Sequence, residues 1–172
     1  IKQALDAGAF GVMVPHVNTA EQARDIAIAM RYPPRHDSPA QEPRGVRGYG
    51  PLLASIAWGL SGADYARRAD LWPLLPAGEL LLVAQIETTR AIDALAEIAA
   101  VPGVGALFLG PADLHADMGY LGQSGVPEVE AEIQRAAAAA QAAGVPIGIT
   151  TNAETVAQRL AQGFSFVTIG FD

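Results

Sequence analysis

Leu80-Leu81-Leu82-Val83-Ala84-Gln85-Ile86-Glu87 is the stretch that decides the fold of this chain. Its apolar run is typical of a strand that is buried on both faces, and such strands occur mainly in parallel sheets. The run ends on Glu87, a carboxylate that prefers water to a dry interior. Local conflicts of this kind tend to lie at functional sites. The stretch therefore predicts a parallel strand with a functional carboxylate at its end.

A second copy of this pattern follows in Ala106-Leu107-Phe108-Leu109-Gly110-Pro111-Ala112-Asp113. If the two strands are neighbours in one parallel sheet, Glu87 and Asp113 emerge at the same edge, where α/β proteins place their chemistry. Carboxylates on rigid strand ends favour a hard divalent cation, Mg²⁺ or Mn²⁺, with Co²⁺ as a third candidate. The alternative is structural, because each carboxylate could instead cap the following helix or pair with a surface arginine.

Length and composition indicate one globular domain that covers residues 1–172. The chain has 172 residues, of which 51% are apolar, and this is enough to bury a sizeable core. There is no cysteine, which excludes disulfides and thiolate metal sites and is compatible with a reducing compartment. We expect a cytoplasmic protein, because the sequence shows neither a signal peptide nor an apolar run of membrane-spanning length.

The charge pattern argues against nucleic acid as a partner. The formal net charge is −7, and the arginines are scattered rather than gathered into a basic patch. Lys2 is the only lysine of the chain, and it lies in a predicted helix that ends at Gly8. The chain therefore offers no strand-borne lysine that could form a Schiff base with a carbonyl substrate.

Glycines and apolar periodicity divide the rest of the chain into alternating helices and strands. The predicted strands are 10–17, 80–86, 105–109, 146–150 and 166–170. One predicted helix ends at Gly8, a second follows Asn18, and two more cover 64–75 and 127–143. A further helix follows Thr88 or Thr89, with Ile92, Leu95 and Ile98 facing inward. The last follows a capping box of Thr151 and Glu154, with Val156 and Leu160 buried. Residues 31–62 lack periodicity and predict a long loop, with one helical turn around 52–58.

Five buried strands that alternate with helices predict an α/β protein with a parallel sheet. No Gly-x-Gly-x-x-Gly motif follows a strand, which argues against a nucleotide-binding open sheet. The chain begins within a helix and ends just after a strand, and a complete (β/α)₈ barrel needs roughly 200 residues or more. We therefore predict an incomplete (β/α)₈ TIM barrel that lacks its first strands and its last helix. Its unpaired edges would make such a fragment marginally stable on its own.

Further residues near the strand ends are candidates for the site. Gln85 points to the same side as the first carboxylate and could reach a substrate or hydrogen-bond within the barrel. The backbone N–H groups of 110–113 could hold an anionic group such as a carboxylate. His16 follows the first strand and could line the same edge, whereas His36 lies in the long loop and His115 suits a supporting or loop role. No serine occupies a nucleophile elbow, so no Ser-His-Asp triad is predicted.

Several different short motifs lie in order along the whole chain. They are Val14-Pro15-x-Val17, Arg31-Tyr32-Pro33-Pro34, Arg44-Gly45-Val46-Arg47-Gly48-x-Gly50, Val83-Ala84-Gln85-Ile86-Glu87-Thr88, Phe108-Leu109-Gly110-Pro111-Ala112-Asp113-Leu114-x-x-Asp117-Met118-Gly119 and the closing segment 166–172. In this order they resemble the HpcH/HpaI aldolases. That family consists of class II, metal-dependent pyruvate aldolases of the 4-hydroxy-2-oxoheptanedioate and 2-keto-3-deoxy-sugar-acid type.

This resemblance implies a (β/α)₈ barrel in which Glu87 and Asp113 hold the metal, while Gln85 and the backbone of Ala112 contact pyruvate. The metal would chelate the carboxylate and keto oxygen of pyruvate and stabilise the enolate, which adds to an aldehyde or is released from a 4-hydroxy-2-oxo acid. The implied partners are a small 2-oxo acid and an aldehyde, and the full-length protein would be a homo-oligomer. The lack of a strand-borne lysine agrees with a metal-dependent mechanism, since an aldolase that forms no Schiff base needs a Lewis acid.

The chain also departs from the family pattern. In the family, a histidine for proton transfer and an arginine that stabilises the enolate lie on strands that precede this chain, and Asp6 matches the aspartate that supports that histidine. Residues 35–43 look like an insertion, and Leu53-Ala54-Ser55 replaces the more usual Ala-Arg-Ala, so the aldehyde is not predicted. Two alternatives stay open: a citrate-lyase-like lyase or decarboxylase of the same superfamily, and a catalytically incomplete protein that only binds a ketoacid or a metal.

Overall fold

Strands and helices alternate along the structure. The structure, a computed structural model, describes residues 1–36 and 41–170. Within these ranges the strands are β1 (Gly11–Val14), β2 (Leu71–Trp72), β3 (Leu80–Ile86), β4 (Val104–Leu109), β5 (Ile147–Thr151) and β6 (Phe166–Ile169). The helices there are α1 (Lys2–Asp6), α2 (Ala20–Met30), α3 (Leu52–Ala57), α4 (Gly62–Arg68), α5 (Thr89–Asp93), α6 (Leu95–Ala99), α7 (Pro111–Asp117), α8 (Pro127–Ala143) and α9 (Val156–Ala161).

The strands of the described residues belong to one sheet. Their order is β1-β3-β4-β5-β6, and β2 pairs with β3 beside this path. The pairs β2–β3, β4–β5 and β5–β6 are parallel, with Leu107 opposite Ile147 and Gly148 opposite Phe166. Apart from β2, the strands follow one another in chain order with helices between them, which is the connectivity of a βα barrel.

The contacts of the chain divide it into two units. The first comprises Ile1–Met13, Glu21–Val83 and Val101–Gly105, and the second comprises Val14–Ala20, Ala84–Ala100 and Ala106–Asp172. Each unit has its own buried residues. The expectation of one domain over residues 1–172 stays a prediction.

In the first unit, Arg31 fixes the loop that follows α2. Its residue is 5% exposed, and its guanidinium binds Asp70 twice, from Nε to Oδ1 at 2.6 Å and from Nη2 to Oδ2 at 3.0 Å. The remaining nitrogen, Nη1, donates to the backbone carbonyls of Gln41 and Pro43. A buried arginine needs such a full set of acceptors, because an unpaired buried charge is costly. The motif that begins at Arg31 is therefore structural at its first residue.

The second unit is built around α8, the longest helix of the described chain. Pro127 begins it at the position where a missing N–H costs nothing, and Gly144 ends it in the left-handed conformation with φ 70°. The buried face of α8 consists of Val129, Ile133, Ala136, Ala137 and Ala140. This face packs against the helices that follow β3 and β4, namely α5, α6 and α7. The alanines keep the helix close to its neighbours.

Most predicted elements are confirmed. The strand at 80–86 and the helix at 127–143 have the predicted bounds, and the helical turn around 52–58 is α3. Thr88 caps α5, since its Oγ1 accepts a hydrogen bond of 3.0 Å from the N–H of Ala91. The strand predicted at 10–17 is shorter, because β1 ends at Val14.

The helix predicted at 64–75 is wrong in its second half. Helix α4 ends at Arg68, and Leu71–Trp72 forms the short strand β2 instead. The ion pair between Asp70 and Arg31 draws this segment out of the helix, and Pro73 follows directly with no N–H to continue one. The sheet of the described residues therefore has six strands rather than the five predicted.

Two later helix predictions also need correction. The helix after Thr88 is two short helices with a turn at Ala94, although its predicted inward residues are all buried. The helix after β5 begins only at Val156, and Asn152 caps its entry by accepting from the N–H groups of Glu154 and Thr155. Neither of its predicted buried residues is buried: Val156 is half-buried and Leu160 is 51% exposed, and α9 has no buried residue.

Part of the sequence analysis falls on residues that lie outside the described ranges. These are 37–40, within the predicted insertion at 35–43, and 171–172, at the end of the closing segment. Across 1–36 and 41–170, no helix combines the length and the apolarity that crossing a bilayer requires.

Candidate active site

The carboxylate of Glu87 is buried directly after β3, with 2% of the residue exposed. Its Oε1 accepts a hydrogen bond of 2.6 Å from Nε2 of Gln85, and its Oε2 accepts one of 2.9 Å from the backbone N–H of His16. Each oxygen thus accepts a hydrogen bond that fixes its position, and Nδ1 of His16 also lies 3.3 Å from Oε2. The carboxylate is held in one orientation, and the remaining lone pairs are left for another partner.

Backbone hydrogen bonds bring three strand ends of the second unit together. The N–H of Val17, beyond β1, donates to the carbonyl of Gln85 at 3.2 Å. The N–H of Gly110, beyond β4, donates to the carbonyl of Ile86 at 3.1 Å. The C-terminal ends of β1, β3 and β4 therefore meet, and this is the edge at which the sequence placed the two carboxylates.

Asp113 reaches this edge from a helix rather than from a strand. It lies in the first turn of α7 and is exposed, whereas Glu87 is buried. Gly110 provides the room for their approach, because a Cβ at this position would stand 2.7 Å from Oε1 of Glu87. Gly110 thus contributes to the site by leaving room for the carboxylate of Glu87.

The surroundings of Glu87 disfavour its negative charge. Burial raises the pKa of Glu87 above its ordinary value, the hydrogen bond from the His16 N–H opposes this rise, and the negative charge of Asp113 adds to it. The two side chains are also close enough for a hydrogen bond between them to contribute to the rise. Neighbouring carboxylates of this kind need either a shared proton or a cation.

The donor set of this edge suits a hard divalent cation. Glu87 and Asp113 supply carboxylate oxygens, and Mg²⁺ is commonly held by one or two carboxylates while water or substrate completes its shell. In the described part of the chain, no cluster of three or more His, Cys, Asp or Glu side chains could hold a metal. Glu87 and Asp113 would be the protein's share of such a site, and water or substrate would supply the other oxygen ligands.

The two residues expected to contact pyruvate lie at the same edge. Gln85 is half-buried, and its amide already donates to Glu87, so it orients the carboxylate in this structure. Ala112 is exposed in the first turn of α7, one residue before Asp113. First-turn N–H groups have no acceptor within their own helix, so the N–H of Ala112 is available to a ligand or to water.

Asp6 lies in the first unit, in a cluster that the sequence did not reveal. Its Oδ1 accepts a hydrogen bond of 2.8 Å from Arg47, whose side chain is 0% exposed, and its Oδ2 pairs with Lys2. Arg47 also donates to the hydroxyl of Tyr65 at 2.9 Å and lies 4.5 Å from the ring centroid of Tyr32. Both oxygens of Asp6 are thus engaged. Its support of a histidine outside this chain stays a prediction.

The other two histidines lie away from the carboxylate of Glu87 in the contacts that they make, and their roles stay predictions. Nδ1 of His115 lies 2.6 Å from the carbonyl of Pro111, within α7. Its Nε2 is buried and has no hydrogen-bond partner among the described residues. His36 is exposed in the long loop.

Three contributions to these sites were missed by the sequence analysis. They are the backbone N–H of His16, the open space at Gly110 and the buried Arg47. A glycine directly after a strand signals close approach of another group, so Gly110 could have been found. The other two depend on tertiary contacts between residues far apart in the chain.

A family model described as HpcH/HpaI aldolase/citrate lyase matches residues 1–172. The chain belongs to this family. Hydroxypyruvate/pyruvate aldolase of Agrobacterium fabrum (strain C58) is 47% identical over 173 residues, which cover 100% of this chain and 59% of that protein. The 4-hydroxy-2-oxo-heptane-1,7-dioate aldolase of Salmonella paratyphi B is 39% identical, over 100% of this chain and 60% of that protein. The chain thus spans about three fifths of the length of these HpcH/HpaI relatives.

Solved HpcH/HpaI structures have the same fold. The crystal structure of a family protein from Burkholderia cenocepacia J2315 matches with a TM-score of 0.79 and 34% identity, over 98% of this chain and 61% of that chain. The α/β fold with an incomplete TIM barrel and the HpcH/HpaI resemblance are therefore both confirmed.

Proposed function

We propose that the protein is a divalent-metal-dependent pyruvate aldolase that reversibly cleaves a 4-hydroxy-2-oxo acid to pyruvate and an aldehyde. The observation that carries this proposal is the approach of Asp113 to the buried Glu87 at the edge where three strand ends meet. The names of the relatives support it, since they are aldolases of hydroxypyruvate, pyruvate and a 4-hydroxy-2-oxo acid.

In this proposal Glu87 and Asp113 hold Mg²⁺ or Mn²⁺. When bound, the cation supplies Lewis acidity that makes the enolate of pyruvate accessible near neutral pH. Gln85 and the backbone N–H of His16 keep the carboxylate of Glu87 in place, so that little reorganisation is needed when a ligand arrives. The N–H of Ala112 would donate to the carboxylate of the 2-oxo acid.

The position of the only lysine favours a Lewis acid over a Schiff base. Lys2 lies on α1, and its ammonium pairs with Asp6. A Schiff-base lysine must face the substrate carbonyl, whereas the side chain of Lys2 is engaged with Asp6 in the first unit. The chain therefore offers two carboxylates for metal binding and no lysine suited to covalent catalysis.

Pyruvate release tests the proposal directly. The full-length protein would be given 4-hydroxy-2-oxo acids in the presence of Mg²⁺ or Mn²⁺, with lactate dehydrogenase and NADH reporting pyruvate. We expect activity that EDTA removes and that added Mn²⁺ restores. Activity that persists in EDTA, or covalent trapping of pyruvate by borohydride, would contradict the proposal. The partners would be a small 2-oxo acid and an aldehyde, and assembly as a homo-oligomer stays a prediction.

A further inference from the structure

His16 has a backbone conformation that its residue type rarely adopts. Its φ is 54°, and it is the only residue other than glycine with positive φ among the described residues. In this left-handed region the Cβ crowds the following carbonyl, so the conformation persists only where other contacts impose it. Strained residues of this kind cluster at functional sites, and His16 lies beside Glu87.

We infer that His16 is a positioning residue whose left-handed backbone directs its N–H at Oε2 of Glu87 and thereby orients that carboxylate for metal binding. The hydrogen bond is 2.9 Å long and joins residues that are 71 positions apart. Glu87 thus receives one hydrogen bond from the segment that follows β1 and another from Gln85 on its own strand, β3. The inference deepens the proposed function and rests on it for the metal.

The segment around His16 is tied down on both sides. The carbonyl of His16 accepts a hydrogen bond of 3.0 Å from Nδ2 of Asn18, and the N–H of Val17 donates to Gln85. The hydroxyl of Thr88 in turn donates to Oδ1 of Asn18 at 2.5 Å. Gln85 and Thr88, on either side of Glu87 in the chain, thus hold residues 16–18 in place by hydrogen bonds. These bonds supply the tertiary contacts that the left-handed conformation of His16 requires.

The backbone of His16, rather than its ring, makes the stronger contact. The side chain is 62% exposed, and its Nδ1 lies 3.3 Å from Oε2, farther than the backbone nitrogen. An exposed ring at this distance adds little to the orientation of a buried carboxylate. The backbone conformation should therefore matter more than the imidazole, and this separates the inference from a chemical role of the ring.

Substitutions that differ in their tolerance of positive φ test this inference. His16→Gly and His16→Asn keep the N–H and adopt the left-handed region readily, whereas His16→Val does not. We expect His16→Val to weaken Mn²⁺ binding about tenfold in calorimetry of the full-length protein. His16→Gly and His16→Asn should stay within about threefold of the unsubstituted protein. His36→Val, the same change at an exposed loop histidine, is the matched control and should leave Mn²⁺ binding unchanged.

Each outcome bears on the inference. Equal affinity in all three His16 variants would overturn it, because the backbone conformation would then not matter to Glu87. An equal loss in His16→Gly and His16→Val would also overturn it, since the ring would be the active part. Thermal unfolding of every variant separates loss of metal from loss of fold: a weakened site in a protein that melts normally supports positioning.

A second measurement decides the inference without any metal. Site-resolved hydrogen exchange should show the amide of His16 protected, and Glu87→Ala should remove that protection. Unchanged exchange in Glu87→Ala would overturn the inference. If the unsubstituted protein binds no Mn²⁺, the proposed function fails, while the exchange result still shows whether His16 holds Glu87.

Discussion

Gly110 leaves open the space that the carboxylate of Glu87 occupies. A Cβ at position 110 would stand 2.7 Å from Oε1 and 2.9 Å from Cγ of Glu87, closer than real Cβ contacts come. The φ of Gly110 is −99°, which any residue adopts, so the glycine is required for space and not for backbone freedom. The turn Gly110-Pro111-Ala112-Asp113, which we interpret as a ligand-binding turn, thus has a second role: it leaves room for the side chain of Glu87.

Gly110→Ala should damage the site more than the fold. The added methyl group pushes against the end of a long side chain, which can move, so we expect a loss of only about 1 kcal/mol in the free energy of unfolding. The displaced carboxylate should lower Mn²⁺ affinity about tenfold or more, as changes beside a ligand commonly do. Calorimetry and urea unfolding measure the two effects separately.

Gly62→Ala is the matched control for this substitution. Gly62 begins α4, lacks positive φ, and its added Cβ would meet only the hydroxyl of Tyr49 at 3.3 Å. We expect unchanged metal binding there. If Gly110→Ala bound Mn²⁺ as tightly as Gly62→Ala, the placement of Glu87 at the metal site would be wrong.

Glu87→Gln should weaken metal binding far more than it changes stability. Burial and the charge of Asp113 raise the pKa of Glu87, so folding costs free energy for the ionised form relative to the unfolded chain. A neutral amide of the same shape removes this charge, but it offers one oxygen to the two donors that bind Oε1 and Oε2 of Glu87. The free energy of unfolding of the metal-free protein should therefore change by no more than about 1 kcal/mol. Mn²⁺ affinity should fall about 100-fold or more, because a ligand charge is lost.

Asp113→Asn should give a similar loss of affinity, and the double substitution should add little to either. Both changes empty one site, so their free-energy effects on binding are not additive. Glu97→Gln, on the exposed side of α6, should leave affinity unchanged. Additive losses would indicate that the carboxylates serve separate sites.

Much of the fold follows from local patterns in the sequence. β3 is one apolar run with a charged end, and α8 has proline at its start, glycine after its end and alanines between, so both were predicted with correct bounds. β2 was missed because a strand of two residues has no periodicity. Its segment is extended through the ion pair of Asp70 with Arg31, 39 residues earlier, which no local pattern reveals.

The candidate site divides in the same way. Glu87, Asp113 and Gln85 were found because they stand at the ends of predicted strands or in motifs that follow them. The hydrogen bond from the His16 N–H to Glu87 was not predicted, since the sequence Pro15-His16-Val17 gives no reason to expect a left-handed backbone at a histidine. It depends on the acceptor that β3 provides, which is a tertiary contact.

Arg47 and Asp6 provide a prediction about stability. Asp6→Asn would leave Arg47, whose side chain is 0% exposed, without its carboxylate. Removal of one partner of a buried ion pair leaves an uncompensated charge and should cost about 3 kcal/mol in the free energy of unfolding. Asp93→Asn is the matched control, because Asp93 pairs with Arg135 at the surface and its loss should cost less than about 1 kcal/mol. Equal losses in urea unfolding would contradict the buried pair.

The same pair should make stability depend on pH. Burial raises the pKa of Asp6, but the hydrogen bonds and charges of Lys2 and Arg47 outweigh this and hold the pKa below its ordinary value of 3.8. The unfolded chain therefore binds the proton more readily, and the stabilisation is complete above about pH 4 and lost as the pH falls through the folded pKa. The deficit of Asp6→Asn should then be largest near neutral pH and shrink in acid. The stability of Asp6→Asn should still fall somewhat in acid, because Arg159 lowers the pKa of Glu130 despite the burial of that carboxylate. A deficit that stays constant from about pH 6 to about pH 2.5 would show that Asp6 is not the titrating group.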